Sequence, residues 1–311
     1  MIAPTVSDIF KKTAKSLFYV DIRHCSNSFR QKGYVVTVLD AYCKIGRYIA
    51  LLLKQNPFIG ELRLYDKNNN ICAVAEDLSH IDTRTKIKSF GGKAVLKHAI
   101  TDADIVVAVG GCKESHKETA KQLFEKNVDD VRMAALNMIE FNPKGVFCVS
   151  KPPIEGLVPV ITEKCPGSVQ QLIGNSEDDV LKLYADCGTV CLSPALAVSR
   201  FINTLLKAFK GETNCVECAF VRQTGHIGQF LPYMTSIVRL GRHGIMSSHM
   251  PKISGDEAAL LKKAAIIIRE HIRMGESFVT GEVVPPTEDT PAPAVSETTA
   301  EKSLRTVQKH V

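Results

Sequence analysis

A short turn between an apolar strand and an amphipathic helix carries the first residues that could do chemistry. In the segment VVTVLDAYCKIGRYIALLLK, at 35–54, a β-branched run ends, polar residues follow, and a helical repeat begins. A turn between a strand and a helix is how many proteins bind a phosphate on the backbone amides of the helix N-terminus. Such turns favour glycine, because the backbone must approach the ligand closely and adopt positive φ. Here the turn contains Asp40, Cys43 and Lys44, and Gly46 is the glycine that remains.

The charged residues around this turn set its electrostatics. Asp66 ends a second predicted strand, at the position where dinucleotide-binding folds place an acid for the ribose hydroxyls, although an aspartate there is also a common turn former. Asp40 would bring a carboxylate close to a pyrophosphate, which is unfavourable at short range, and Lys44 would offset this only partly by pairing with a phosphate. We therefore expect a nucleotide site whose phosphate-binding part has been altered or abandoned.

Strands and helices alternate regularly in the first half of the chain. We expect strands at 34–39, 61–66, 104–109 and 145–150, and helices at 45–55, 71–80 and 117–141. This order predicts an α/β fold with a Rossmann-like doubly wound parallel sheet.

The chain changes character after residue 156. We expect helices at 176–188 and 193–209 and strands at 215–221 and 230–240. A last helix begins after Ser254, which can form a capping box with Glu257. The segment 281–311 is rich in Pro, Thr, Glu and Ala and has too few apolar residues to fold alone, so we expect a disordered tail.

The composition limits the function classes. The 311 residues, 45% hydrophobic and 23% charged, are typical of a soluble globular protein with one or two domains. No apolar run approaches the ~20 residues of a membrane-spanning helix, and no basic stripe interleaved with aromatic residues favours nucleic acid. We expect neither a membrane span nor a nucleic-acid partner. The basic N-terminal extension, 1–33, suits equally an organellar import sequence and a helix packed on the domain.

Ten cysteines occur without a secretory signal, which favours a reduced compartment with buried thiols. Cys215 and Cys218 form a C-x-x-C on a predicted strand, where residues three apart face opposite sides and do not share a metal. We expect both to be packing residues and no metal to bind.

Several long blocks resemble the malate dehydrogenase family of the mitochondrial and glycosomal type. The likeness rests on IALLLKQNPFIGELRLYD at 49–66, AEDLSHIDTR at 75–84, KQLFEKN at 121–127 and VECAFV at 216–221. The resemblance covers most of 34–280. It implies an NAD-binding-type domain at 34–156, a truncated α+β lactate/malate dehydrogenase-type C-terminal domain at 157–280, NAD as cofactor, a homodimer, and interconversion of malate and oxaloacetate.

The resemblance also assigns cofactor contacts. The residues at the family's cofactor positions are Gly46, Asp66, Gly110, Gly111 and Asn127. Asp40 and Cys43, by contrast, replace glycines of the family. We therefore expect NAD binding to be weakened.

The catalytic pattern of the family is missing. Its chemistry needs a histidine that moves the hydroxyl proton, an aspartate that orients the imidazole, and arginines that hold the substrate carboxylates. Two arginine positions hold Glu114 and Ala120, and Glu155 stands where the resemblance places an asparagine that contacts substrate. The Leu-Asp-x-x-Arg and Gly-Gly-His motifs are absent, and several dozen residues of the family pattern are missing after Pro159. We expect no catalytic residue.

Two functions remain open. The preferred hypothesis is a pseudoenzyme that has lost hydride transfer and acts as a scaffold, a regulatory subunit or a hetero-oligomer partner of a related protein. The alternative is a divergent NAD-dependent malate dehydrogenase or 2-hydroxyacid oxidoreductase. It would use lysines for cationic contacts (Lys113, Lys117 and Lys151), whereas the late histidines (His226, His243 and His249) are interpreted as surface or loop residues rather than a replacement base. For these lysines the favoured interpretation is solvated surface. The predicted location is mitochondrial, otherwise cytoplasmic or glycosomal.

Overall fold

The computed structural model describes residues 33–111, 118–162, 191–223, 225–250 and 252–281. The chain separates into two units, 1–32 and 33–311, of which the first lies outside the described residues. The predictions for the N-terminal extension, for a helix at 176–188 and for a disordered tail fall outside this description, apart from Gly33 and Gly281 at its edges.

Five parallel strands form the central sheet. They are β1 (Tyr34–Leu39), β2 (Ile59–Asp66), β3 (Lys86–Gly91), β4 (Ile105–Ala108) and β5 (Val146–Val149). Their order is β3-β2-β1-β4-β5, so the chain winds outward from β1 in one direction and then from β4 in the other. The carboxyl ends of β1 and β4 mark the switch point at which such sheets bind ligands. The predicted Rossmann-like doubly wound sheet is confirmed.

Helices cover both faces of this sheet. They are α1 (Lys44–Lys54), α2 (Ile71–Ser79), α3 (Leu96–Ile100), α4 (Ala120–Phe141), α5 (Ile154–Thr162), α6 (Leu192–Lys210), α7 (Gly225–Phe230) and α8 (Gly255–Thr280). On one face α1, α2 and α6 pack against Val36 and Val38, and on the other α3, α4 and α5 pack against Leu39 and Val106. Because both faces are buried, the central strands are almost continuously apolar, which is why their sequences predict them well.

A three-stranded antiparallel sheet lies in the C-terminal half. Its strands β6 (Val216–Arg222), β7 (Tyr233–Gly241) and β8 (Gly244–His249) follow in that order. Ala219 and Val238 join the core that α6 shares with the central sheet, and Phe220 packs in a separate cluster with side chains of α5 and α8. Cys215 is buried, but Cys218 is exposed, so the packing prediction is wrong for Cys218. The reason is that the buried part of β6 begins only at Ala219.

The long helix α8 begins where the capping box predicts. Ser254 Oγ accepts a hydrogen bond from the Glu257 amide at 3.3 Å, and Glu257 Oε2 accepts one from the Ser254 amide at 2.6 Å. Gly275 of α8 crosses α5 closely, since a Cβ added there would lie 2.0 Å from Gly156 O. Within the described ranges, no helix is long and apolar enough to cross a bilayer, and no cluster of His, Cys, Asp and Glu side chains suits a metal ion.

Candidate functional site

A cavity of about 240 Å³ opens at the carboxyl edge of the parallel sheet, beside the β1–β4 switch point. Its apolar walls are Leu39, Tyr65, Leu96, Ala108, Met133 and Ala134. Its charged walls are Asp40, Asp129, Asp130, Lys67, Lys93 and Lys151. Three aspartates face three lysines, so the cavity has no formal net charge.

The turn after β1 keeps the backbone shape that a glycine-rich turn would have. Asp40 has φ +56°, in the left-handed region that aspartate and asparagine tolerate better than most side chains. Gly46 packs directly against this turn, since an added Cβ would lie 2.7 Å from both Ala41 Cα and Asp40 O. The role of Gly46 is therefore the close packing of α1 on the turn.

Four backbone amides of this turn are already paired within the protein. Four hydrogen bonds use them: Ala41 N to Tyr65 O at 3.0 Å, Tyr42 N to Asp66 Oδ2 at 3.0 Å, Cys43 N to Asp40 O at 3.3 Å, and Gly46 N to Cys43 Sγ at 3.3 Å. A phosphate at a helix N-terminus needs amides of this kind as its donors. Here the thiol of Cys43 caps α1 instead.

Asp66 stands at the end of β2, as the sequence predicts. Both of its carboxylate oxygens accept backbone hydrogen bonds, Oδ2 from Tyr42 and Oδ1 from the Asn68 amide at 2.8 Å. The side chain that the family resemblance assigns to a ribose therefore ties the turn after β1 to the end of β2.

Gly110, Gly111 and Asn127 come together where β4 ends. The two glycines have φ +80° and +60°, and a Cβ on Gly111 would lie 1.9 Å from Asn127 Oδ1. Asn127 is only 2% exposed, and its Nδ2 donates to Gly111 O at 2.9 Å and to Pro152 O at 2.7 Å. Asn127 thus joins the segment after β4 to the segment after β5.

A chain of four charges runs along the cleft. Lys151, after β5, forms an ion pair with Asp40 and lies 3.9 Å from Asp130 of α4, and Asp130 also pairs with Lys67. Lys151 is 3% exposed, so the solvated-surface interpretation of this lysine is wrong. Burial of its ammonium is tolerated because two carboxylates compensate the charge.

Asp130 and Lys67 carry no motif in the sequence that marks them as site residues. For Asp130 the sequence predicts a solvent-exposed residue, because a single polar residue in a helical repeat is most often solvated. Lys67 directly follows Asp66 at the end of β2, and this position is the one feature of the sequence that indicates a site residue.

Two proton-bearing side chains at the cleft retain their protons at neutral pH. Burial raises the pKa of Tyr65 to about 12, with the negative charges of Asp40, Asp130 and Asp66 adding to it. Burial also raises the pKa of the Cys43 thiol, more than the hydrogen bond from the Gly46 amide lowers it. Neither group is suited to acid–base catalysis near pH 7, which needs a pKa close to the working pH.

Other residues named for catalysis lie elsewhere. Glu155 is in the first turn of α5, with its Oε2 3.8 Å from Nδ1 of His271, and it does not line the cavity. His243 and His249 belong to the β7–β8 hairpin and do not line it either. Ala120 is the first residue of α4. The remaining ones, Lys113, Glu114, Lys117 and the side chain of His226, lie outside the described part of the chain.

Comparison with known proteins agrees with this architecture. Residues 34–174 match the lactate/malate dehydrogenase NAD binding domain. Mitochondrial malate dehydrogenase of Caenorhabditis elegans is 27% identical over 330 aligned positions, which cover 84% of this chain and 94% of that protein. Glyoxysomal malate dehydrogenase of Oryza sativa is 26% identical, covering 82% and 90%. A match of 330 positions exceeds the 311 residues present, so it includes gaps in this chain.

Solved structures share the fold. Apo malate dehydrogenase of Picrophilus torridus superimposes with a TM-score of 0.66 at 12% identity, over 80% of this chain and 99% of that one. Malate dehydrogenase of Cryptosporidium parvum gives 0.66 at 17% identity, over 79% and 99%. Strand order, switch point and relatives agree: residues 34–174 form a domain of the lactate/malate dehydrogenase NAD-binding type, and the chain resembles the malate dehydrogenases as a divergent relative.

Proposed function

We propose that this protein is a malate dehydrogenase-like pseudoenzyme, which has lost hydride transfer and acts as a scaffold, a regulatory subunit or a hetero-oligomer subunit. The observation that carries the proposal is the turn after β1. The amides of Tyr42 and Gly46 bond to the protein itself, and the turn carries the carboxylate of Asp40, which is paired with Lys151.

NAD is the cofactor that the family implies, and the turn does not suit its pyrophosphate. The amides of Tyr42 and Gly46 are used by Asp66 and Cys43, and Asp40 adds a negative charge in the same turn. A like charge about 4 Å away costs on the order of 4 kcal/mol at an effective dielectric near 20. We expect NAD to bind weakly. If bound, NAD would accept the hydride from a 2-hydroxy acid, and NADH would supply it to a 2-oxo acid.

The loss of chemistry is also supported by the sequence. The 311 residues contain neither the Leu-Asp-x-x-Arg nor the Gly-Gly-His motif of the family. The gaps in the match to the nematode enzyme are consistent with a deletion that removes them. Tyr65 and Cys43 cannot replace the missing base, because their raised pKa values keep them protonated.

A role in assembly is supported by exposed apolar side chains on α1 and α6. They are Tyr48 (41% exposed), Leu51 (38%), Leu192 (58%) and Leu196 (61%). The two helices contact each other, and a contiguous apolar patch across them would mark an interaction site. We expect a homodimer or a hetero-oligomer with a related protein, located in mitochondria, as the nematode relative's name suggests, and otherwise in the cytoplasm or glycosomes.

An activity assay and a binding assay test the proposal. Purified full-length protein is mixed with NADH and oxaloacetate or related 2-oxo acids, with an active malate dehydrogenase as positive control. We expect no turnover above background and only weak NADH binding by fluorescence titration. Turnover that disappears when a single histidine is replaced would contradict the proposal. Size-exclusion chromatography beside the active enzyme tests whether a dimer forms.

The second candidate is a divergent NAD-dependent malate or 2-hydroxyacid dehydrogenase. It is favoured by the cavity itself, since Leu39, Tyr65 and Ala108 form apolar walls suited to a flat ring and Lys67 and Lys93 provide cationic side chains. NADH oxidation with one 2-oxo acid and not with others would establish it.

A further inference from the structure

We propose that Asp40 is a built-in occupant of the phosphate position and that it sets the ligand class of the cleft. The cleft would accept an uncharged, flat, nucleoside-sized molecule in preference to its phosphorylated form. This inference rests on the proposed function, because it concerns the ligand of the same cleft.

Asp40 lies at the switch point of the parallel sheet. It lies in the turn between β1 and α1, and its side chain lines the cavity. A Cβ added at Gly110 would lie 3.6 Å from Asp40 Cβ, so the side chain stands between the turn after β1 and the segment after β4. That is the switch point, where the phosphates of a nucleotide approach a sheet of this kind.

The charge on Lys151 is compensated by carboxylates of the protein. A buried lysine at the carboxyl edge would ordinarily attract a phosphate. Here its ammonium pairs with Asp40 and lies near Asp130, while Lys67 is paired with Asp130 as well. A phosphate that enters must therefore displace Asp40 from Lys151 and also meet the displaced carboxylate at short range.

The cavity is small, and part of its wall is apolar. Leu39, Tyr65 and Ala108 are buried and belong to the core on that face of the sheet. The volume of about 240 Å³ lies below the ~300 Å³ lower limit of typical small-molecule pockets and suits a ligand no larger than a nucleoside rather than a dinucleotide. Apolar inner walls, together with charged lining residues whose charges sum to zero, favour a neutral, flat ligand.

Two conservative variants distinguish the effect of the Asp40 charge on ligand preference from the effect of any other charge in the cavity. Asp40→Asn removes the charge at constant size, and asparagine tolerates the positive φ of this position. Asp129→Asn is the matched control, because Asp129 lines the same cavity outside the four-charge chain. Adenosine and ADP serve as probes, titrated into the full-length protein by calorimetry at low and moderate salt.

In the native protein we expect ADP to bind no more tightly than adenosine. In Asp40→Asn the preference for ADP over adenosine should rise by at least about tenfold, because Lys151 becomes free to pair with a phosphate, and added salt should weaken that gain. Asp129→Asn should leave the preference within about twofold of the native value.

The proposal is overturned if the native protein binds ADP about tenfold more tightly than adenosine, or if folded Asp40→Asn gains no ADP binding. Circular dichroism checks folding, and Asp40→Gly, which also permits positive φ, replaces the asparagine variant if that one is unstable. Different results contradict the two proposals. Turnover by the native protein contradicts the pseudoenzyme. An ADP preference that is the same in Asp40→Asn as in the native protein contradicts the role of Asp40.

Discussion

The carboxylate of Asp66 accepts a hydrogen bond from the backbone amide of Tyr42 at 3.0 Å and so joins the end of β2 to the turn after β1. Arg47 supports the same turn, since its Nε donates to Tyr42 O at 2.8 Å and its guanidinium lies 4.4 Å from the centre of the Tyr42 ring. The turn is held from two neighbouring elements. Its shape therefore does not depend on a bound phosphate.

Replacement of Lys151 by methionine should destabilise the protein. The change leaves Asp40 and Asp130 without their shared buried cation, and we expect a loss of about 2 kcal/mol, less than for a fully buried pair because both carboxylates are partly exposed. Urea unfolding at pH 7 measures it. Lys93→Met is the control, since Lys93 lines the same cavity but is exposed, and its effect should stay within about 0.5 kcal/mol. Equal effects would rule out the ion pair as the cause.

Replacement of Gly46 by alanine should cost about 2–3 kcal/mol of unfolding free energy, because the added methyl group meets backbone atoms of Ala41 and Asp40 at 2.7 Å. Gly255→Ala provides the comparison within the same chain. A Cβ at Gly255 meets nothing within 4 Å, and alanine favours helix, so we expect no loss there. Thermal unfolding of the two variants side by side decides the point, and a well-tolerated Gly46→Ala would refute the packing role.

Asn127→Asp should destabilise the protein in a pH-dependent manner. The carboxylate would face the carbonyl oxygens of Gly111 and Pro152 in a buried position, with a cost of about 2 kcal/mol or more at pH 7. Such contacts raise the carboxyl pKa in the folded state, so the penalty develops as pH rises through about 4, the pKa of the unfolded chain, and is relieved below it.

The matched control for this substitution is Asn137→Asp on α4. Asn137 Nδ2 donates to Met133 O at 2.8 Å in the same helix, and its side chain is partly exposed. We expect a smaller loss with little dependence on pH. Unfolding of both variants at pH 7 and pH 3.5 gives the comparison, and an Asn127→Asp variant as stable as the native protein would show that the two hydrogen bonds contribute little.

Glu61→Gln should lower stability at neutral pH and not at acidic pH. Burial acts to raise the pKa of Glu61, but Lys88 and Arg63 outweigh it, so the pKa is lowered in the folded protein. A lowered pKa contributes stability above the unfolded value, about 4.3, that is lost as pH falls through the folded value. We expect a loss of about 1 kcal/mol at pH 7 that disappears near pH 3. Glu76→Gln, exposed on α2, should show no such difference.

Elements that are buried on both faces or capped locally could be predicted from the sequence. The strand at 34–39 has the predicted bounds, and the capping box of Ser254 and Glu257 marks the start of α8. The sequence does not predict β3 or α5, nor the short elements α3, α7 and β8. The strand β3, KIKSFG, is an edge strand in which no residue is fully buried, and it has no apolar run. The helix α5 contains Pro159 and β-branched residues, and only its burial between α4 and α8 makes it helical.

The amino-acid sequence by itself determined the class of fold and the polar residues of the turn after β1, because each of these is a local pattern. The tertiary structure decided what the remaining polar groups do. Lys151 meets Asp40 across 111 positions of chain, and Asn127 meets Pro152 across 25. These partners are set by the order of strands in the sheet, which brings distant carboxyl ends to one edge, and no local pattern contains that information.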